Sequence, residues 1–176
     1  VLLSRQEIAA TVKRLASEVN RDYSDTTLLM VGILRGAFIF MADLVRAMDI
    51  PSTVDFVRIS TYGNGIRSSG KARIVQGLRS AIRGRHVLVV EDIVDTGITT
   101  NFLLGYLKKH GAASVKLCAM LSKPSSRQAD VTIDYLGFTV PNLFVVGYGL
   151  DYAQKYRYLP DICALERDAT KLSNHG

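Results

Sequence analysis

The sequence predicts an α/β fold in three layers, with a mainly parallel central sheet flanked by helices. Three observations predict it. Apolar runs of strand length alternate with amphipathic helical stretches along the chain. The run Val87-Leu88-Val89-Val90 is apolar without alternation, as a strand buried on both faces requires. Glycine, hydroxyl or charged residues follow each strand, at the sheet edge where ligands bind in such folds.

The elements follow in order. Ser4-Arg5-Gln6-Glu7 forms a capping box, and Ile8, Val12, Leu15 and Val19 then trace the apolar stripe of a helix. Leu28 to Leu34 is the first strand, and Gly36 to Met48 is the helix after it. Val54 to Ile59 alternates as a second strand. Thr61 to Lys71 is polar and rich in Gly and Ser, with Ala72 to Val75 pairing back. His86 to Val90 is the central strand. The next helix carries Phe102, Leu103, Tyr106 and Leu107 on one face. It closes with Lys108, Lys109 and His110 before Gly111, which suits a helix C-terminus. Val115 to Leu121 and Leu143 to Val146 complete the strand set.

Composition sets bounds. A chain of 176 residues is long enough for one well-buried domain and short for two. Hydrophobic content of 48% with 22% charged residues fits an ordinary soluble protein. The apolar run Ala37 to Ala42 stops at Asp43, far short of a membrane span, so no membrane partner is expected. Val1 to Glu7 lacks the charged-then-apolar layout of a signal peptide. Cys118 and Cys163 are isolated thiols, which suits a reduced, cytoplasmic setting, and neither they nor His86, His110 and His175 have zinc-ligand spacing. Net charge is +6, but the cations are dispersed, with no basic run among aromatics. Anionic small substrates explain that excess as well as nucleic acid does.

The chemistry concentrates at Val87 to Thr100, VLVVEDIVDTGITT. The apolar run meets paired carboxylates, Glu91 and Asp92, and a third acid, Asp95, opens the loop Thr96-Gly97-Ile98-Thr99-Thr100. Free backbone N–H groups, hydroxyl donors and a helix N-terminus are what a phosphate monoester needs. The acids cannot bind phosphate directly. They suit sugar hydroxyls, a divalent cation or a ring nitrogen, so the run points to a ribose 5-phosphate site. A buried strand with an ordinary capped helix explains the apolar half, but not acids placed where burial is costly. Leu34-Arg35-Gly36 offers a cation and free amides for a diphosphate, although alone it reads as a plain strand-to-helix turn. Phe144, Lys123 and Arg157 taken singly read as a core aromatic and two surface cations.

In combination they carry more. The segment at 87–100 resembles the motif by which type I phosphoribosyltransferases bind 5-phosphoribosyl 1-diphosphate (PRPP). LRGA at 34–37, STYG at 60–63, EDIVDTGITT at 91–100 and LFVVGYGLDY at 143–152, followed by Arg157, are similar in order to the hypoxanthine(-guanine) phosphoribosyltransferases. The last of these narrows the choice to 6-oxopurine enzymes. The resemblance implies the type I phosphoribosyltransferase fold as a single domain over 1–176, with a small hood and a flexible catalytic loop at about 61–77 that begins at Thr61 and Tyr62. It implies transfer of the phosphoribosyl group from PRPP to hypoxanthine, and to guanine, in purine salvage, with Mg²⁺ as cofactor and a homodimer or homotetramer as the assembly. Asp95, Thr96, Gly97, Ile98 and Thr99 would bind the 5-phosphate, and Glu91 and Asp92 the ribose hydroxyls. Asp95 would also be the acid/base at purine N7. Arg35, Gly36 and Arg157 would meet diphosphate, with a non-proline cis peptide between Leu34 and Arg35. Lys123 would donate to the exocyclic O6, Phe144 would stack on the purine, and the backbone of Val145 and Asp151 would meet its pyrimidine edge. Glu91, Asp92 and Asp151 would be the metal ligands.

Two departures from the vertebrate members bear on substrate. Pro124 follows Lys123 where they carry a second basic residue, and Arg35 replaces a lysine common there. Compact length and Arg35 look like the bacterial branch, and both changes leave guanine use open. A xanthine–guanine or pyrimidine phosphoribosyltransferase remains the neighbouring alternative. A PRPP-fold regulator that binds RNA or DNA is the alternative of another class, and it would need a coherent basic face.

Overall fold

The computed structural model describes residues 1–62 and 71–165. Helix α1, Arg5–Asp22, starts at the capping box the sequence predicts. Ser4 Oγ accepts from the Glu7 N–H, and the Ser4 N–H donates to Glu7 Oε2 at 2.8 Å. Ile8, Val12, Leu15 and Val19 form its buried stripe.

Six strands make the central sheet: β1 (Leu28–Leu34), β2 (Ser52–Tyr62), β3 (Lys71–Gln76), β4 (His86–Val94), β5 (Ser114–Ser122) and β6 (Tyr135–Thr139). Their order is β3-β2-β1-β4-β5-β6, and every pairing is parallel except that of β2 with β3. Helix α2 (Phe38–Ala47) joins β1 to β2, and α3 (Ile98–Lys109) joins β4 to β5. Alternation along the strands produces two cores. Leu28 and Met30 of β1 pack with α1 and α2 on one face, while Leu29, Val31 and Ile33 pack with Leu103 and Leu107 of α3 on the other. Three layers result, as expected.

Two strand assignments need correction. Leu143 to Val146 is not a strand of the parallel sheet. Val145–Val146 (β7) pairs antiparallel with Cys163–Ala164 (β8) in a separate two-stranded sheet. The sheet position beside β5 is taken by β6, which the sequence reading passed over. The central strand also runs further than His86 to Val90, carrying Glu91 and Asp92 inside β4. The β7–β8 pair, with a bridge from Leu3 to Ile162, forms the small hood.

The expected flexible loop is bordered by paired strands. Thr61 and Tyr62 close β2 and stand opposite Ala72 and Lys71 of β3. Its central part, 63–70, lies outside the described residues. Among the described residues no helix is long and apolar enough to cross a membrane. Cys118 and Cys163 are free thiols.

Candidate active site

Strand order reverses at β1, which has β2 on one side and β4 on the other. Crevices at such switch points hold the ligands of open α/β sheets. Here the carboxyl ends of β1, β4 and β5 open into a cavity of about 440 Å³. Arg35 and Gly36 enter it after β1, Asp92 and Asp95 from β4 and the turn beyond, and Lys123 after β5. Phe144, Val145, Asp151 and Arg157 reach it from the hood segment. A second cavity, of about 980 Å³, shares Asp95, Lys123 and Phe144 and extends to Asn142 and Leu165. The two spaces thus meet at one acid, one cation and one aromatic ring.

The paired acids are buried. Glu91 is 7% and Asp92 9% exposed. Burial pushes the Glu91 carboxyl well above its usual range, and the neighbouring Asp92 charge adds to this. Burial also raises Asp92, against the Ile93 N–H that donates to Asp92 Oδ1 at 2.9 Å. Glu91 does not line the first cavity, whereas Asp92 does. Gly36 is required beside it, because a Cβ at position 36 would overlap the Asp92 carboxylate. The backbone after β1 therefore runs directly against an acid of β4, joined by the expected cis peptide at Leu34–Arg35.

The loop after Asp95 leads into the N-terminus of α3. Gly97 is the N-cap of α3 at φ 80°, a left-handed conformation that favours glycine, and no side chain caps the helix. Thr96 Oγ1 accepts from the Ile98 N–H at 3.4 Å, while the Thr96 carbonyl accepts from Gln128 and Ala129. Thr96, Gly97, Ile98 and Thr99 lie past Asp95, outside the lining of the first cavity. Thr61 is likewise not among its lining residues.

Cations face this acid group. Lys123 is 6% exposed, and its Nζ lies 3.7 Å from Asp95 Oδ2. Arg157 Nη2 pairs with Asp151 Oδ1 at 2.8 Å, and its Nη1 donates to the Gly149 carbonyl at 2.7 Å. Phe144 meets Tyr152 edge to face, with centroids 5.5 Å apart. Among the described residues no group of three or more His, Cys, Asp or Glu converges as a metal cage, so Asp151 is not assembled with Glu91 and Asp92. One cavity thus gathers guanidiniums, an aromatic ring, and an ammonium beside a half-exposed carboxylate.

A family model described as "Phosphoribosyl transferase domain" matches residues 2–153. The chain belongs to this family. It is 45% identical to the hypoxanthine-guanine phosphoribosyltransferase of Bacillus subtilis over 94% of its own length and 92% of that protein's. It is also 45% identical to the bifunctional protein TilS/HprT of Listeria monocytogenes, and there it spans 26% of the relative's length. A crystal structure of a hypoxanthine phosphoribosyltransferase from Staphylococcus aureus superposes with a TM-score of 0.91 at 38% identity. The match covers 94% of this chain and 90% of that one. The family thus agrees with the resemblance carried by the four sequence segments.

Within this family member, the structure adds residues that sequence reasoning missed. Arg58 of β2 and Gln154 of the hood also line the first cavity. Arg58 has no motif around it, and Gln154, although it falls between the segment 143–152 and Arg157, is a neutral amide that nothing in the sequence singles out. Arg127 works from outside: its Nη2 donates to Ser122 Oγ at 2.8 Å and to the Val94 carbonyl at 3.3 Å. It therefore ties the residue before Lys123 to the residue before Asp95.

Proposed function

We propose that this chain transfers the 5-phosphoribosyl group of PRPP to a 6-oxopurine, hypoxanthine and also guanine, releasing diphosphate and forming IMP or GMP in cytoplasmic purine salvage. The carrying observation is that Arg35, Asp95, Lys123, Phe144 and Arg157, from separated segments, line one cavity.

In this reading the backbone amides and hydroxyls of Asp95 to Thr99 take the 5-phosphate, at the N-terminus of α3. Glu91 and Asp92 face the ribose hydroxyls, and Arg35, Gly36 and Arg157 hold diphosphate. Phe144 stacks on the base, Lys123 donates to O6, and the backbone of Val145 and Asp151 meets the pyrimidine edge. The C1–oxygen bond to diphosphate breaks as purine N9 bonds to C1, through an oxocarbenium-like transition state. Asp95 accepts the N7 proton of the N7–H tautomer, which keeps the base neutral as it bonds. Arg35 and Arg157 stabilise the charge that grows on the leaving group.

The donor set fits Mg²⁺. This ion takes hard oxygens, keeps several waters and is held by one or two carboxylates together with substrate phosphates, so a three-residue protein cage is not required. Glu91 and Asp92 are buried carboxylates with raised pKa values, a state that a nearby cation would relieve. They would hold it at the ribose, and Asp151 would hold a second one at diphosphate. When bound, the ion neutralises diphosphate charge as that group leaves. The assembly proposed is a homodimer or homotetramer, to be read by light scattering.

The test is incubation with PRPP, Mg²⁺ and each base in turn. IMP from hypoxanthine, with GMP from guanine, is expected, and uracil should give no nucleotide. No nucleotide from any purine overturns the reading. Tight, steeply salt-dependent RNA or DNA binding in its place would favour a regulator.

A further inference from the structure

Gln154 joins the two arginines assigned to diphosphate. Its Oε1 accepts from Arg35 Nη1 at 2.9 Å and from Arg157 Nη2 at 3.3 Å. Among the described residues Arg35 has no carboxylate partner, so this amide oxygen is what draws it toward Arg157. Two like charges converge here on one neutral acceptor, an arrangement that suits a site shaped for an anion with several oxygens.

The backbone supports the same point independently. Tyr152 and Lys155 exchange backbone hydrogen bonds across a tight turn whose central residues are Ala153 at φ 50° and Gln154 at φ 65°. Such turns favour Asn-Gly or Gly, and non-glycine residues in this region are strained. The turn is held by the Gln154 N–H, which donates to Asp151 Oδ2 at 2.8 Å. Asp151 in turn pairs with Arg157 through its other oxygen. Strain retained at both central positions aims the Gln154 side chain at the arginine pair.

We propose that Gln154 is a positioning and selectivity residue for diphosphate: its amide oxygen holds Arg35 and Arg157 converged, and a diphosphate oxygen replaces it on binding. This rests on the phosphoribosyltransferase reading above. The neutral amide matters. Arg35, Arg58, Lys123 and Arg157 line the cavity with Asp92, Asp95 and Asp151, four cations against three carboxylates. A glutamate at 154 would cancel that excess and occupy the guanidinium fork as a charged competitor. An amide keeps the arginines in place and yields to an anion.

The experiment compares the wild type with Gln154→Glu and Gln154→Ala. Calorimetry measures Kd for Mg²⁺-diphosphate and for IMP, which shares the phosphate and base sites but carries no diphosphate, and kinetics gives KM for PRPP and for hypoxanthine. In Gln154→Glu, Kd for diphosphate and KM for PRPP should rise about tenfold or more, the scale of a charge-assisted contact. Gln154→Ala should give a smaller rise, about threefold to tenfold, from the lost convergence alone. IMP affinity and hypoxanthine KM should stay within about twofold in both. Gln154→Glu is nearly isosteric, and an unchanged melting temperature excludes misfolding. Diphosphate binding unchanged in both variants overturns the proposal, and so does an equal loss of IMP binding, which would mark a general structural role. A wild type that makes no nucleotide overturns the functional reading instead.

Discussion

Lys123 Nζ stands 3.7 Å from Asp95 Oδ2, the lysine side chain 8% exposed and the aspartate 49%. A nearly buried ammonium therefore depends on a carboxylate that itself opens to the cavity. The pair keeps opposite tasks close together, since an ammonium can only donate while an ionised carboxylate can only accept. Purine O6 and N7 are neighbouring acceptor and proton-bearing positions that suit such a pair.

Asp95→Asn should lower kcat by about 10²-fold or more, the usual scale for a general acid/base. Half-exposure of the side chain means the fold should survive, as circular dichroism would record. A folded variant with near-normal kcat would sink the assignment of proton chemistry to Asp95.

Lys123→Ala should reduce kcat/KM for hypoxanthine by about tenfold or more, because a buried O6 would lose its charged donor. Selectivity for 6-oxo over 6-amino purines should narrow with it. Competition between hypoxanthine and adenine gives the readout, and unchanged selectivity would leave Lys123 with no role in base choice.

Glu91 makes the unliganded protein pH-sensitive. Its folded pKa is raised above 4.5 by burial and by Asp92, so the folded state holds the proton more tightly than the unfolded chain. The associated stability is fully present below the unfolded value and is lost as pH rises through the folded one. Glu91→Gln cannot titrate. The variant's melting temperature relative to wild type should therefore climb from about pH 4 to pH 8 in the absence of ligand. A difference that stays flat across that range would contradict the buried-acid account.

Gly36→Ala should overpack the contact with Asp92, destabilising the fold by about 1–3 kcal/mol and raising KM for PRPP. Urea unfolding and initial rates test both parts. Wild-type values in each would mean that the backbone at 36 has room the structure does not give it.

Much of this was readable from residues. The capping box and the stripe of α1 depend on local contacts and short spacing, and both are present. The cores of β1, β4 and β5 are apolar runs whose meaning changes little with context. β6 was missed because Tyr135–Thr139 is brief, holds Gly137 and follows a polar stretch. Val145–Val146 misled for the opposite reason: an apolar pair states that it is buried, never which strand it joins. Among the proposed site residues, those inside motifs could be found, and the cavity unites nine of them. Arg58 could not, since only the fold brings it to the cavity, and Gln154, though three residues from both Asp151 and Arg157, meets Arg35 only across 119 positions of chain.

Register between β4 and β5 gives the length of β5 a meaning of its own. Val94 pairs with Ser122, and the Lys123 N–H donates to the Val94 carbonyl at 3.0 Å, so Asp95 and Lys123 leave their strands side by side. Removing one residue from β5 would draw Lys123 back by about 3.3 Å and turn its side chain to the other face. Conservative exchanges within β5 would leave that alignment standing. Insertions and deletions should accordingly be tolerated in the connections on either side of β6, while inside β5 a single one would separate Lys123 from Asp95 even if the protein still folded.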